Sequence, residues 1–234
     1  MEWLIFPVGY IPLCTTMASV VFGWVLFQRY VQRGRPPYLG WWTAGVCTYA
    51  LGTLTESLVT LFGWNPYFFR LWYIFGALLG GAPLAQGSVY YHLPRRVGDI
   101  LTAFLLAYLI IAGALVWISP LDTEKVEMHR LSGRVLRWHW VRWFSPPVNL
   151  YAVIFLVGGA FYSAVTYWQR RNSLEGFLGN TLIALGALLP GIGGAFTRFG
   201  YTEVLYVMEF FGILLIWAGY RLIIRWKEST EGVR

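Results

Sequence analysis

The sequence predicts an all-α integral membrane protein: a bundle of seven transmembrane helices, N-terminus outside and C-terminus cytoplasmic. Three observations predict it. Of 234 residues, 57% are hydrophobic and only 12% charged, where soluble domains carry roughly 25% charged residues. Long apolar runs, each almost free of charge, recur along the chain. The basic residues gather in alternate links between those runs, as cytoplasmic loops require.

The runs place spans at about 3–28, 41–63, 68–92, 99–119, 147–168, 177–197 and 203–225. Each approaches or exceeds the about 20 apolar residues that cross a bilayer. The first run has no basic residue before Arg29, so it is expected to be a retained helix and not a cleaved leader. Together the spans make residues 1–234 a single seven-helix domain. Neither polar stretch, 120–146 or the tail after Arg225, is large enough to bury a core of its own.

Orientation follows from the links. Arg29, Arg33, Arg35, Arg95, Arg96, Arg170, Arg171, Arg221, Arg225, Lys227 and Arg234 fall on one side. Arg70, Lys125, Arg130, Arg134, Arg137, Arg142 and Arg198 fall on the other, five of them in loop 120–146 with Asp122, Glu124 and Glu127. The first side is therefore cytoplasmic. Loop 120–146 carries a turn signal at Ser132-Gly133, and its flanks are expected to pair as a short hairpin with Trp138 and Trp140 on one face. A helical alternative puts Leu131, Val135 and Trp138 on one side. Most tryptophans near span ends, Trp72 among them, read as an interfacial aromatic belt.

The chemistry is mostly one of exclusion. Net charge is +7, but it lies in loops and forms no dense basic face, which argues against nucleic acid. Cys14 and Cys47 sit in apolar runs as small hydrophobes, without disulfide or zinc spacing. The histidines, His92, His129 and His139, are not at the centre of any span, so a bundle-held haem lacks axial ligands. Lys125 and Lys227 are the only lysines and lie outside the spans, so a retinal Schiff base is excluded. No phosphate-binding loop, zinc-protease helix or nucleophile elbow occurs. No cofactor, metal or catalytic set is expected, and an enzyme is the less favoured reading.

Two ionisable residues stand inside spans, Glu56 and Glu209. Such groups are expensive in lipid and tend to face the bundle interior. Tyr49, Gly52, Thr53, Glu56 and Thr60 share one helical stripe; Tyr206, Glu209, Gly212 and Gly219 share another. Each glutamate lies seven residues from the outer end of its span, roughly 10 Å deep at 1.5 Å per residue. They are expected to meet in one outward-facing ligand pocket. Arg70, Tyr73, Asn149, Arg198 and Tyr206 enter the same layer from neighbouring spans. The alternative is structural, with each glutamate protonated or paired to Arg70 or Arg198.

Small residues gather at Gly76–Pro83 and Gly186–Gly194, both containing Gly-Ala-Leu-Leu followed by glycine and proline. They read either as close helix packing or as the paired broken spans of an inverted repeat. Gln86 and Ser88 are candidates for hydrogen bonds within the bundle, and His92 for the inner interface.

Within 41–90, Tyr49-Ala50-Leu51 leads to Glu56, and Arg70-Leu71-Trp72-Tyr73-Ile74 opens the third span. This stretch resembles the seven-helix sensor region that precedes some bacterial histidine kinases and diguanylate cyclases. The resemblance implies a sensor module; with no output domain in the sequence, signalling is expected to pass to a separate cytoplasmic or membrane partner. The expected function is thus a sensor-like or receptor-like bundle that binds a small molecule from outside, in a prokaryotic cell membrane. The alternatives are a small-solute transporter and an accessory subunit of a membrane complex.

Overall fold

A computed structural model describes residues 8–128, 130–170, 173–197 and 199–231. Among them every regular element is helical, and the only strand-like pairing is two isolated bridges. The helices are α1 (Ile11–Gln32), α2 (Pro37–Phe62), α3 (Pro66–Trp72), α4 (Ala82–His92), α5 (Arg95–Ile118), α6 (Ser145–Ala152), α7 (Gly158–Arg170), α8 (Leu174–Thr197) and α9 (Thr202–Glu231). A wide π turn, Tyr73–Leu78, continues α3, and a second, Val153–Val157, joins α6 to α7. The start of the first expected span, residues 3–7, lies outside the described residues.

Six stretches are long and apolar enough to cross a membrane: Ile11–Gln32, Pro66–His92, Arg95–Ile118, His139–Arg170, Leu174–Thr197 and Thr202–Ser229. The protein is thus a membrane-integral helical bundle by length and composition. Helix α2 is not among the six, although it has 26 residues. Its position explains why. It packs against α1, α3, the first π turn and α4, and it buries Tyr49, Thr53, Thr55, Glu56 and Ser57. A helix wrapped by protein can be polar where one facing lipid cannot. Helix α5 is the opposite case, strongly apolar and with little of its length buried by the rest of the protein.

Local chemistry sets the boundaries. Pro36 and Pro37 open α2, where a missing N–H costs nothing. Gly63, at φ 80°, closes it in a conformation that side chains avoid. Asn65 caps α3 by accepting the Tyr67 N–H at 2.8 Å. Ser173 starts α8 by accepting the Gly176 N–H at 2.8 Å. The third span breaks at Leu79–Gly81, because Pro83 offers no N–H to the Leu79 carbonyl and two glycines precede it. Pro190, by contrast, lies inside an unbroken α8. The two Gly-Ala-Leu-Leu segments therefore differ: one opens, the other stays helical.

Helices α8 and α9 run antiparallel along a glycine seam. Gly179, Gly186 and Gly193 recur every seventh residue and face Gly219, Gly212 and Leu205 in turn. A Cβ on Gly186 would stand 2.6 Å from the Gly212 carbonyl oxygen, and one on Gly212 would stand 2.8 Å from that of Gly186. Only bare backbone admits this approach, and in lipid such packing replaces the hydrophobic force between helices.

Loop 119–144 is folded onto the end of the bundle where α2 finishes and α9 begins. Its ends join at the Leu121–Leu136 bridge, with the Asp122 N–H on the Val135 carbonyl at 2.8 Å and the Arg137 N–H on the Pro120 carbonyl at 3.0 Å. The chain reverses at Glu127–Arg130, and Ser132-Gly133 leads into a short 3₁₀ turn instead. Trp138 and Trp140 stack at 5.9 Å. Leu131, Val135, Leu136 and Val141 are buried against Val59, Phe69 and Tyr73. Arg130 ties the loop to α9 through Glu203 at 2.6 Å.

Two predictions follow from this packing. Gly186→Leu should cost about 1–3 kcal/mol by overpacking, read as a lower melting temperature in detergent, whereas Gly191→Leu, which meets open space, should melt as wild type. In the loop, Lys125 at 2.7 Å holds the Asp122 carboxyl below its usual value of 3.8. A depressed folded value means stability present above pH 3.8 and lost as pH falls below it. The protection of the loop amides, after correction for the intrinsic pH dependence of exchange, should fall across that window in wild type and fall less in Asp122→Asn.

Candidate functional site

Close approach of backbones builds the site. A Cβ on Gly52 of α2 would lie 3.3 Å from the Gly76 N of the first π turn. One helical turn further along each antiparallel element, Glu56 therefore comes opposite Trp72. The Trp72 indole N–H donates to Glu56 Oε1 at 2.8 Å. Glu56 is 2% exposed.

Helix α9 supplies the second carboxyl. The Tyr49 hydroxyl donates to the Glu209 backbone carbonyl at 2.9 Å, fixing α9 against α2. The carboxyl groups of Glu56 and Glu209 then lie within hydrogen-bonding reach of each other. Oε2 of each glutamate is buried and receives no donor from the described protein groups. Carboxylates only accept, so two of them in contact away from water are held together by a hydrogen between them; bare anions would repel. Tyr206, 5% exposed, stands within electrostatic reach of both. One turn before Glu56 on the same stripe of α2, Thr53 and Thr16 share a hydrogen bond at 2.9 Å that ties in α1.

The sequence-predicted residues divide clearly. Glu56, Glu209 and Tyr206 come together. Tyr73 is buried one residue beyond Trp72, but its hydroxyl turns to the loop side and accepts from Ser145 Oγ at 3.4 Å. Arg70 serves the end of α5: its guanidinium donates to the Trp117 carbonyl at 2.9 Å and the Ser119 carbonyl at 3.2 Å. Asn149 lies exposed on α6. Arg198 is outside the described residues, as is His129.

Two members of the site are absent from the sequence-derived set, Trp72 and the Tyr49 hydroxyl. Trp72 reads from sequence as one more belt tryptophan. The contact depends on how α2 and α3 are rotated against each other, which leaves no local mark in the sequence.

Elsewhere in the bundle, Gln86 is fully buried; its amide donates to Gly98 O at 3.0 Å and Thr102 Oγ1 at 2.8 Å, and its carbonyl accepts the Tyr151 hydroxyl. His92 bonds the Ser88 carbonyl at 2.9 Å through Nδ1 and Ser163 Oγ at 2.8 Å through Nε2. Since a carbonyl only accepts, Nδ1 carries the hydrogen. Among the described residues no group of three or more His, Cys, Asp or Glu side chains converges as a metal site would require. Comparison with protein-family models, curated proteins and solved structures finds no match for the chain.

Trp72→Phe should strand Glu56 Oε1 without its donor and cost about 1–3 kcal/mol, measured by melting in an uncharged detergent. The shared hydrogen should give an infrared carbonyl band of a protonated carboxyl at neutral pH. That band should vanish in the Glu56→Gln, Glu209→Gln double variant; its absence from wild type would refute the arrangement.

Proposed function

We propose that the chain crosses a prokaryotic cell membrane seven times, with α2 as the further span, and works as a receptor-like bundle. In this reading the loop end faces outward, and the C-terminal end faces the cytoplasm and passes the signal to a separate partner. The length of α2 supports the seventh crossing: 26 residues rise about 39 Å at 1.5 Å each. The likeness of residues 41–90 to bacterial sensor regions points the same way.

One observation carries the ligand-binding part: two carboxyls meet in the buried interior, and apart from the hydrogen they share, Oε2 of each receives no donor from the described protein groups. Burying an acceptor without a donor costs free energy, and intramembrane carboxyls are kept where they act. A small ligand that supplies hydrogens, such as a primary ammonium, takes the place of the hydrogen that the two carboxyls share. It would reach them by displacement of the loop that covers this end. The outward pocket is thus a closed site that opens with the ligand.

A transporter is the second reading, favoured by the helix break at Leu79–Gly81. That break follows the π turn which continues from Trp72, the partner of Glu56, and discontinuous spans are a recurrent form of solute site.

Both readings meet in one experiment. The full chain is melted in uncharged detergent with ethylammonium chloride, and separately with sodium chloride at equal ionic strength. Stabilisation by ethylammonium alone, lost in Glu56→Gln, Glu209→Gln, is the expected result; identical melting in both salts would count against the ligand site. Ethylammonium flux into sealed vesicles, slowed by Pro83→Ala, would then select transport over sensing.

A further inference from the structure

At the opposite end of the bundle lies a cavity of about 200 Å³ that the carboxyl pair does not use. It is enclosed by α1, α2, α4, α7, α8 and α9. Its inner wall is apolar, with Phe22, Leu26, Leu84 and Ile216. At about 30 Å³ for a water-sized group, it holds roughly seven such groups, the bulk of a medium alkyl chain.

The mouth has a different character. Arg29, Arg33 and Lys227 line it. Arg29 is paired with Glu228 at 3.0 Å, and Lys227 lies over the Tyr91 ring at 5.8 Å. Three cations thus gather around the opening. Between wall and mouth stands Tyr220, 8% exposed, whose hydroxyl is buried and has no hydrogen-bond partner. Tyr220 lines the same cavity as Arg29, Arg33 and Tyr38. A buried hydroxyl without a partner is unusual, and this one borders a space large enough to hold the missing group.

We propose that this cavity binds an anionic amphiphile. Its alkyl or acyl chain fills the apolar chamber, a head-group oxygen accepts the Tyr220 hydrogen, and its phosphate or carboxylate rests on Arg29, Arg33 and Lys227. The chemistry is shared by an anionic phospholipid of the adjoining leaflet and by a free single-chain phosphate. The chamber excludes a bare inorganic anion as its proper ligand, because that would leave the apolar wall empty.

The test uses the full chain in dodecyl maltoside, read by native mass spectrometry. The probes are octyl phosphate, octyltrimethylammonium and inorganic phosphate. Octyl phosphate should bind one to one, with the other two much weaker. Ala160, buried on the cavity wall, is replaced by Phe to fill the chamber, and binding should be lost. Tyr220→Phe and the Arg29→Gln, Arg33→Gln double variant should each weaken octyl phosphate about tenfold or more. The double variant leaves the chamber intact, so it decides the matter should Ala160→Phe fail to fold. A phospholipid-mass adduct on protein taken from its own membrane, absent in the variants, identifies the leaflet as source. Protein that arrives bare and takes up octyl phosphate identifies a free amphiphile. Equal binding of octyltrimethylammonium, equal binding of inorganic phosphate, or undiminished binding by the variants would overturn the proposal.

Discussion

Close approach of helix backbones at glycine is the constraint on which this bundle rests. In lipid, apolar side chains gain little by leaving their surroundings for one another, so helices associate through packing and hydrogen bonds. The α8–α9 seam uses glycines seven residues apart, and α2 meets the first π turn at Gly52 and Gly76. It also meets α4 where Gly45 faces Leu84 and Trp42 covers Gly87. Each contact fixes a register. Once Gly52 lies on Gly76, Trp72 stands opposite Glu56 one turn further on. The Tyr49 bond to the Glu209 carbonyl then sets α9 at the same depth. The carboxyl pair is thus a consequence of backbone packing, and its geometry is only as rigid as those contacts.

The two ends of the bundle are built on different principles. At the end where α2 stops, loop 119–144 inserts Leu131, Leu136 and Val141 and is pinned by Arg130 to Glu203. At the other end the helices part around a chamber rimmed by cations. An apolar plug over a carboxyl pair and a cationic rim over an apolar chamber are electrostatic opposites across one membrane thickness. Helix α2 links them, since its first turns line the chamber through Tyr38 and Trp42 and its last turns carry Glu56.

Much of the helix pattern was legible in the sequence because proline, glycine and hydropathy act locally. Pro94 and Ser119 bound α5 at Arg95–Ile118, close to the expected 99–119. The run 68–92 reads as one span, yet it holds two helices, because hydropathy does not register where Pro83 removes a hydrogen bond. The pairing of Glu56 with Glu209 was approachable, as equal depth can be counted along a helix at 1.5 Å per residue. Arg70 was not assignable that way. Its long side chain finds the carbonyls at the end of α5, a choice set by which helix end comes near.

The sequence by itself determined that this is a helical membrane protein, where most helices begin and end, and which residues cannot face lipid. Those properties depend on solvation and on backbone chemistry over a few residues. Only the tertiary structure decided that α2 is the shielded helix, that Trp72 serves Glu56, and that a chamber opens among the cations. These depend on how closely separate helices approach and in what rotation about their axes. Distances of a few ångströms between residues far apart in the chain leave no periodic trace in it.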